Sequence, residues 1–186
     1  MRLPTAEKDI AYTPVAKLLH WVMVALLIVQ FTLAVTMPHI GRNTRPDTLI
    51  NLHFSFGVVI LVVAVIRLVW RVTHREPPPS RDLPDWQIKA SRIVHYGLYV
   101  LLLVIPVLGW MHASFHGFDV TAFGLFKLPA LMARRTPGFA WTGDVHSAIS
   151  YFVLLPVIAL HVAAGLHHAI VRKDGVLARM LPERWV

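Results

Sequence analysis

Four long apolar segments constrain this 186-residue chain more than any other feature of its sequence. They run approximately over residues 18–37, 52–70, 93–113 and 145–171, and each is long enough to cross a hydrocarbon core of roughly 30 Å, which takes about 20 helical residues. Hydrophobic residues make up 56% of the chain and charged residues only 15%, too few to cover the surface of a water-soluble domain. We therefore expect an all-α integral membrane protein, with residues 1–186 forming a single domain built as a four-helix bundle.

The composition also limits the chemistry and the partners. No cysteine is present, which excludes disulfides, iron–sulfur clusters and thiolate zinc sites. The net charge of +8 does not indicate binding to nucleic acid, because the basic residues flank the apolar segments and do not form one stripe. The predicted partner is membrane lipid, and the 11 histidines are the side chains that need an explanation.

The distribution of basic residues predicts the orientation of the bundle. The chain start, the second connection and the chain end share one side of the membrane, and they carry 13 of the 18 Lys and Arg residues. Because the side richer in Lys and Arg faces the cytoplasm, we expect both termini to be cytoplasmic. The residues on this side are Arg2, Lys8, Lys17, Arg67, Arg71, Arg75, Arg81, Lys89, Arg92, Arg172, Lys173, Arg179 and Arg184; those outside are Arg42, Arg45, Lys127, Arg134 and Arg135.

Two prolines, Pro106 and Pro156, lie inside the third and fourth apolar segments. A proline cannot donate a backbone hydrogen bond, but membrane helices tolerate it where the freed backbone groups find other partners. We expect each of these two helices to bend near its proline.

Four histidines form two predicted pairs in the membrane, where an ionisable side chain needs a partner or a function. His146 and His161 are 15 residues apart on the fourth segment, which corresponds to roughly 22 Å along a helix and an offset of about 60° around it. Both therefore face the bundle interior, near opposite leaflets. His53 lies at the depth of His146, on the outer side, and His20 lies at the depth of His161, on the inner side. Since imidazole suits iron and bundle interiors hold cofactors, the pairs predict two axially ligated haem sites.

Other interpretations of the histidines stay open at this point. Each could be an interfacial or internally satisfied polar residue that binds no ligand. Zinc is a second alternative, although each pair offers only two nitrogens and structural zinc usually takes four ligands. A different class of protein, a histidine-lined transporter of metal ions or protons, would need a water-filled path and unpaired histidines.

Six motifs occur in consistent order between about Tyr12 and Pro182: YTPVAKLLHW, LHFSFG, RLVWR, IPVLGW, FGLFKLP and LHVAAGLHHAIVRKDGVLARMLP. In these motifs the chain resembles the bacterial cytochrome b561 family, which is related to the b-type cytochrome subunits of nickel hydrogenases. The resemblance implies a quinone-linked cytochrome of the bacterial inner membrane with four helices and two haem b groups.

The ligand positions of the family fall on His20, His53, His146 and His161, the same four residues that depth selects. Two positions depart from the family pattern, Phe54 after the second ligand and His167 in the last motif, where the family has lysine. These departures affect local polar contacts and leave the haem ligands unchanged.

A quinone site is predicted on the inner side. His168 is seven residues beyond His161, hence within about 20° of it around the helix and roughly 10 Å nearer the cytoplasm. His95 enters at a similar level from the third segment. Together they are expected to bound a site for ubiquinone, the electron acceptor, where each offers a hydrogen bond or a proton. The alternative is that both contact lipid headgroups or haem propionates.

Arg67 and Arg71 lie one turn apart at the inner end of the second segment. They are expected to contact haem propionates, which are bidentate targets for arginine. Snorkelling to anionic lipid is the alternative.

The predicted function is electron transfer across the membrane between a donor at the outer face and the quinone pool. In one version the protein is an oxidoreductase, because the resemblance implies a superoxide:ubiquinone oxidoreductase (a superoxide oxidase) for some members. The alternative is a membrane-anchor subunit that carries electrons for a partner dehydrogenase or hydrogenase, or from another periplasmic redox protein. The third connection, residues 114–144, discriminates between them: a docking surface predicts an exposed apolar patch there, and a superoxide site predicts a narrow basic funnel.

Overall fold

The protein is an integral membrane bundle of four long helices, as the apolar segments predict. A computed structural model describes residues 11–41, 43–79 and 83–181. Its four helices are α1 (Pro14–Thr36), α2 (Thr48–Thr73), α3 (Asp85–His116) and α4 (Thr142–Arg172), and each is long and apolar enough to span a membrane. The predicted location of both chain termini falls outside the described residues, as do the basic residues Arg2, Lys8, Arg42, Arg81 and Arg184.

All four helices begin three to eight residues before the predicted segments, the most at α3. Hydropathy marks only the apolar part of a helix, whereas its start is set by capping. The side chain of Thr13 accepts a hydrogen bond from the N–H of Ala16, with Pro14 in the first turn, and Asp47 accepts one from Ile50. Both are favourable N-cap arrangements.

Consecutive helices pack against each other, α1 on α2, α2 on α3, and α3 on α4. Many large apolar side chains of the helices are exposed, as expected where lipid is the solvent. The core cluster of buried residues contains Met23, Ile60, Ala64, Leu102, Ile105 and Leu154.

The two ends of the bundle differ. We call the end at which α1 begins and α4 ends the terminal end, and the opposite end the hairpin end. At the hairpin end, the connection between α3 and α4 forms two short antiparallel strands, β1 (Thr121–Ala122) and β2 (Phe126–Lys127). This β-hairpin packs against α2.

Helix α4 changes its winding twice. It is α-helical over Thr142–Ile149 and Leu155–His167, but it contains a π turn at Ser150–Leu154 and ends in another at His168–Arg172. Pro156 is the second residue of the second α-helical part. Because proline has no N–H to donate to the preceding turn, that turn widens into a π turn, which leaves room for the proline ring. A π turn therefore precedes Pro156, whereas α3 continues through Pro106 without a change of helix type. The predicted bends at these two prolines stay predictions.

Candidate functional site

The four histidines singled out by depth meet in two pairs inside the bundle. The rings of His20 on α1 and His161 on α4 have their centres 6.1 Å apart. The rings of His53 on α2 and His146 on α4 have theirs 6.2 Å apart. The first pair lies toward the terminal end and the second toward the hairpin end, so α4 contributes one histidine to each.

The separation within each pair fits a single metal ion between two axial imidazoles. An imidazole nitrogen lies about 2 Å from a transition metal and about 1 Å from the centre of its own ring, so two axial rings have centres roughly 6 Å apart. Both pairs have this separation. Haem iron needs only two axial ligands from the protein, so each pair matches the requirement of one haem.

His146 is oriented by the backbone of α3. Its Nδ1 lies 2.9 Å from the carbonyl oxygen of Ile105. A carbonyl only accepts, so Nδ1 carries the proton and Nε2 keeps its lone pair for a metal, the usual arrangement for a histidine ligand. Gly109 makes room for the ring, because a Cβ there would lie 2.9 Å from Cε1 of His146. Sequence reasoning missed Gly109, and its signal was the glycine of the IPVLGW motif.

His53 contacts Gln30, a second residue that sequence reasoning missed. Nε2 of Gln30 lies 3.2 Å from Nε2 of His53 and donates to the backbone oxygen of His53 at the same distance. Among the described residues, Nδ1 of His53 and Oε1 of Gln30 are buried without a hydrogen-bond partner. His53 therefore has unused bonding capacity in an apolar environment, which is expected of a residue that binds a further group. The signal for Gln30 was a lone amide within an apolar segment.

An arginine and a third histidine contact the terminal-end pair. Nη2 of Arg67 lies 3.0 Å from Nδ1 of His20, and its guanidinium lies over the ring of Tyr99. The ring centre of His95 is 5.3 Å from that of His161. Arg67 and His95 therefore both contact members of this pair.

Arg71 lies one turn beyond Arg67 but has different partners. Its guanidinium forms an ion pair with Glu76 at 2.5 Å, and it lies over the rings of Tyr96 and Tyr99. Its charge is thus partly compensated, whereas Arg67 points at the histidine pair.

His95 and His168, expected to share a quinone site, have separate partners. Whereas His95 lies against His161, Nδ1 of His168 lies 2.6 Å from Oδ2 of Asp174. Asp174 also accepts hydrogen bonds from Nε of Arg172 and the N–H of Val176, both at 3.2 Å. Burial opposes ionisation of Asp174, but the hydrogen bonds from His168 and Val176 and the nearby positive charge outweigh it and lower the pKa of this carboxyl. Asp174 is a third residue that sequence reasoning missed.

A cavity of about 340 Å³ opens at the hairpin end. The stem of Arg134 packs on Gly117, where a Cβ would lie 2.9 Å from Cδ of Arg134. The N–H of Arg135 donates to the carbonyl of Phe115 at 2.8 Å. These contacts hold the two arginines at the cavity, which is lined by Ile40, Gly41, Phe115, His116, Arg134, Arg135 and Ala140.

Two further histidines connect this cavity with the hairpin-end pair. The ring centre of His116, in the cavity wall, is 4.6 Å from that of His112. The ring of His112 packs directly on Gly143, where a side chain would overlap it, and Gly143 precedes His146 by one turn of α4. His116 and His112 therefore connect the cavity with the helix that carries His146.

Sequence comparisons identify a matching family and several relatives. A family model described as prokaryotic cytochrome b561 matches residues 11–183. The chain is 27% identical over 175 residues to cytochrome b561 homolog 2 of Escherichia coli (strain K12), covering 91% of this chain and 90% of that protein. It is 25% identical over 170 residues to cytochrome b561 homolog 1 of the same strain, covering 89% and 94%. It is 28% identical over 170 residues to the probable superoxide oxidase CybB of Yersinia pestis, covering 89% and 93%.

Proposed function

The chain belongs to the prokaryotic cytochrome b561 family, whose members bind b-type haem and transfer electrons in membranes, and we propose on this basis that it is a di-haem b cytochrome of the inner membrane. It passes electrons from a donor at the outer face to the quinone pool. The observation that carries the proposal is the presence of two histidine pairs, each with the ring separation of axial ligands to one iron.

His53 and His146 are the proposed ligands of the hairpin-end haem, and His20 and His161 those of the terminal-end haem. A bound b-type haem supplies one-electron transfer between two oxidation states of its iron. Because His146 and His161 are 15 residues apart on one helix, roughly 20 Å, the two sites lie near opposite leaflets. This spacing supports a path across the membrane.

Arg67 is proposed to contact a propionate of the terminal-end haem. A neutral histidine that binds metal through Nε2 carries its proton on Nδ1, and such an Nδ1 cannot accept from an arginine. Ligation by His20 would therefore release the guanidinium that now lies 3.0 Å from its Nδ1. A propionate is the bidentate partner that a free guanidinium prefers. Arg71, held by Glu76, has the smaller role.

The terminal end is proposed to be cytoplasmic and to hold the ubiquinone site, bounded by His95 and His168. Reduction of a quinone takes two electrons and two protons. The carboxylate of Asp174 keeps the proton of His168 on Nδ1, so that Nε2 can accept a hydrogen bond from a quinol hydroxyl, or donate one to a quinone oxygen when Nε2 carries a proton. His95 lies against His161, where it can position the quinone beside the terminal-end haem.

Superoxide is the proposed electron donor at the outer face. The cavity at the hairpin end is lined by Arg134, Arg135 and His116, and His116 contacts His112, which packs on α4 one turn before His146. It therefore combines positive charge with a connection to the proposed haem site. Each superoxide anion that enters would lose one electron and leave as dioxygen. A relative named probable superoxide oxidase supports this assignment. The protein is then a superoxide:ubiquinone oxidoreductase.

The alternative is an anchor subunit that receives electrons from a docked dehydrogenase or hydrogenase. It is favoured by one observation, the exposed apolar side chains of Phe123, Leu125 and Phe126 on the β-hairpin. In this case the apolar surface would be the site at which the partner docks, and superoxide would be a poor electron donor.

Proteoliposomes containing ubiquinone test the proposal. Superoxide generated outside the vesicles should reduce the haems within seconds, and ubiquinol should accumulate. Haem reduction without ubiquinol would contradict the quinone assignment. Haems that superoxide does not reduce would leave the anchor subunit as the function. The control is protein-free vesicles with the same superoxide source.

A further inference from the structure

The β-hairpin between α3 and α4 exposes apolar side chains at its turn. Leu125 is 77% and Phe126 71% exposed, and Phe123 is about half exposed. A contiguous apolar surface of this kind marks a contact with another molecule or with lipid. The electron-transfer function proposed above does not explain it.

The hairpin is held rigidly on α2 by Ser55, which is buried. The hydroxyl of Ser55 accepts from the N–H of Phe123 at 3.0 Å. Its single proton has two acceptors within reach, the carbonyl oxygen of Thr121 at 3.0 Å and that of Asn51 at 2.8 Å. The ring of Phe123 packs edge-on against Phe56, with centres 5.2 Å apart. Phe123 and Gly124 both have left-handed backbone angles, φ 51° and 72°, which close the tight turn that presents Leu125 and Phe126.

These contacts place the hairpin beside the bundle and not above it. Ser55 lies seven residues inside the start of α2 at Thr48, which is about 10 Å along the helix axis, and it falls within an apolar segment. On α3, the indole N–H of Trp110 donates to the carbonyl of Pro129, just after the hairpin, at 3.1 Å. Trp110 is six residues before the end of its helix, about 9 Å inward, at a level where tryptophans mark the membrane interface.

The charged residues of the hairpin segment also suit a position at the membrane interface. Lys127 and Asp119 form an ion pair at 2.9 Å, and both side chains are well exposed. They lie at the open end of the hairpin, because Lys127 pairs with Thr121 in the ladder, whereas Leu125 and Phe126 lie at or next to the turn. The segment is therefore amphipathic, with one polar end and one apolar end.

We infer that the β-hairpin is seated in the lipid leaflet at the hairpin end, with Leu125 and Phe126 against acyl chains and the Lys127–Asp119 pair among the headgroups. The apolar surface is then a lipid contact and does not dock a water-soluble partner. This placement does not depend on which molecule donates electrons. The cavity beside His116 is lined by other residues, so a lipid contact at the hairpin leaves it open.

Site-directed spin labelling tests the placement directly. The chain contains no cysteine, so Leu125→Cys and Phe126→Cys can each be labelled without other substitutions. The haem-loaded protein is reconstituted in vesicles of phosphatidylethanolamine and phosphatidylglycerol. Collision of the label with dioxygen, which dissolves in hydrocarbon, is compared with collision with a polar nickel chelate. An unchanged haem spectrum shows that each variant is folded.

Two matched positions calibrate the measurement. Phe152→Cys, 81% exposed in the middle of α4, is the lipid reference, and Ala133→Cys, exposed on the same connection as the hairpin, is the water reference. We expect the oxygen-to-nickel ratio at 125 and 126 to exceed that at 133 by at least about fivefold, because a polar reagent does not enter hydrocarbon. A lipid-like ratio at either position supports the inference. Ratios like that of Ala133 at both positions overturn it and make the hairpin a docking surface for a soluble protein.

Discussion

Asp174 and His168 form a close contact at the terminal end, with 2.6 Å between Oδ2 of the carboxylate and Nδ1 of the ring. The chain reverses between them, since Lys173 adopts a left-handed conformation with φ 51° and Gly175 follows with φ 74°. Both side chains are mostly buried. A histidine held in this way by a carboxylate has a fixed tautomer, which suits transfer of protons at the proposed quinone site.

Replacing Asp174 by asparagine should slow the oxidation of the reduced haems by a short-chain ubiquinone by roughly tenfold or more, because positioned acid–base groups contribute at least that much. Both haem spectra should stay unchanged, since none of the four proposed haem ligands is altered. Stopped-flow absorbance measures the rate. Arg172→Gln is the matched control, because Arg172 donates to the same carboxylate and its substitution leaves the contact between Asp174 and His168 in place. Equal slowing in both variants would show that the contact only supports the local fold.

The proposed pairing of the histidines predicts different losses for two alanine variants. His146→Ala should remove mainly the hairpin-end haem and His20→Ala mainly the terminal-end haem, because the two residues belong to different pairs. A pyridine haemochrome assay should give half of the wild-type haem content in each variant. The reduced-minus-oxidised difference spectra of the two variants should differ, because each variant keeps a different haem. Identical spectra in the two variants would mean that the pairing is wrong.

Gly109 should be sensitive to the addition of a single methyl group. In Gly109→Ala the new Cβ would lie 2.9 Å from Cε1 and 3.1 Å from Nδ1 of His146, so the ring must shift from the position in which Nδ1 contacts the carbonyl of Ile105. We expect destabilisation by about 1–3 kcal/mol, typical of overpacking, and an altered electron paramagnetic resonance signal of the hairpin-end haem. Gly97→Ala on the same helix, where a Cβ meets nothing within 4 Å, should leave that signal unchanged. A normal signal in Gly109→Ala would remove the proposed role of this glycine.

Arg67 should raise the midpoint potential of the terminal-end haem, because a nearby positive charge favours the reduced iron. Arg67→Gln is expected to lower that potential by tens of millivolts, where about 59 mV corresponds to a factor of ten for a one-electron couple. Arg71→Gln should have a smaller effect, because Glu76 already compensates its charge. Redox titration of both variants measures the shifts. Equal shifts would indicate a general field effect and no specific contact between Arg67 and the haem.

Superoxide as the donor predicts a marked dependence on salt. The screening length falls from about 10 Å at 0.1 M to about 3 Å at 1 M, so attraction of an anion to Arg134 and Arg135 weakens as salt is added. Haem reduction by superoxide should be fast at low salt and slower at high salt. The double variant Arg134→Gln/Arg135→Gln should be slow at low salt and similar to wild type at high salt. A slow rate that does not respond to salt would exclude superoxide as the donor of this chain.

Much of the architecture follows from the sequence alone, because its physical basis is local. Hydropathy over about 20 residues identifies a membrane helix, so the four helices and the membrane bundle could be predicted, and the family model confirms the resemblance. Helix rise per residue is constant, so residue number sets depth, and depth is sufficient to match His20 with His161 and His53 with His146. That these residues bind haem stays a prediction.

The tertiary structure decided what depends on how the helices approach one another. Hydropathy does not show the π turn at Ser150–Leu154, which changes the rotation between His146 and His161. It also does not show that α3 starts at Asp85. The contacts of Gln30 with His53 and of Gly109 with His146 join residues from different helices. Such contacts arise from side chains that meet only after the helices pack, and no periodicity within a single helix encodes which side chain will face which.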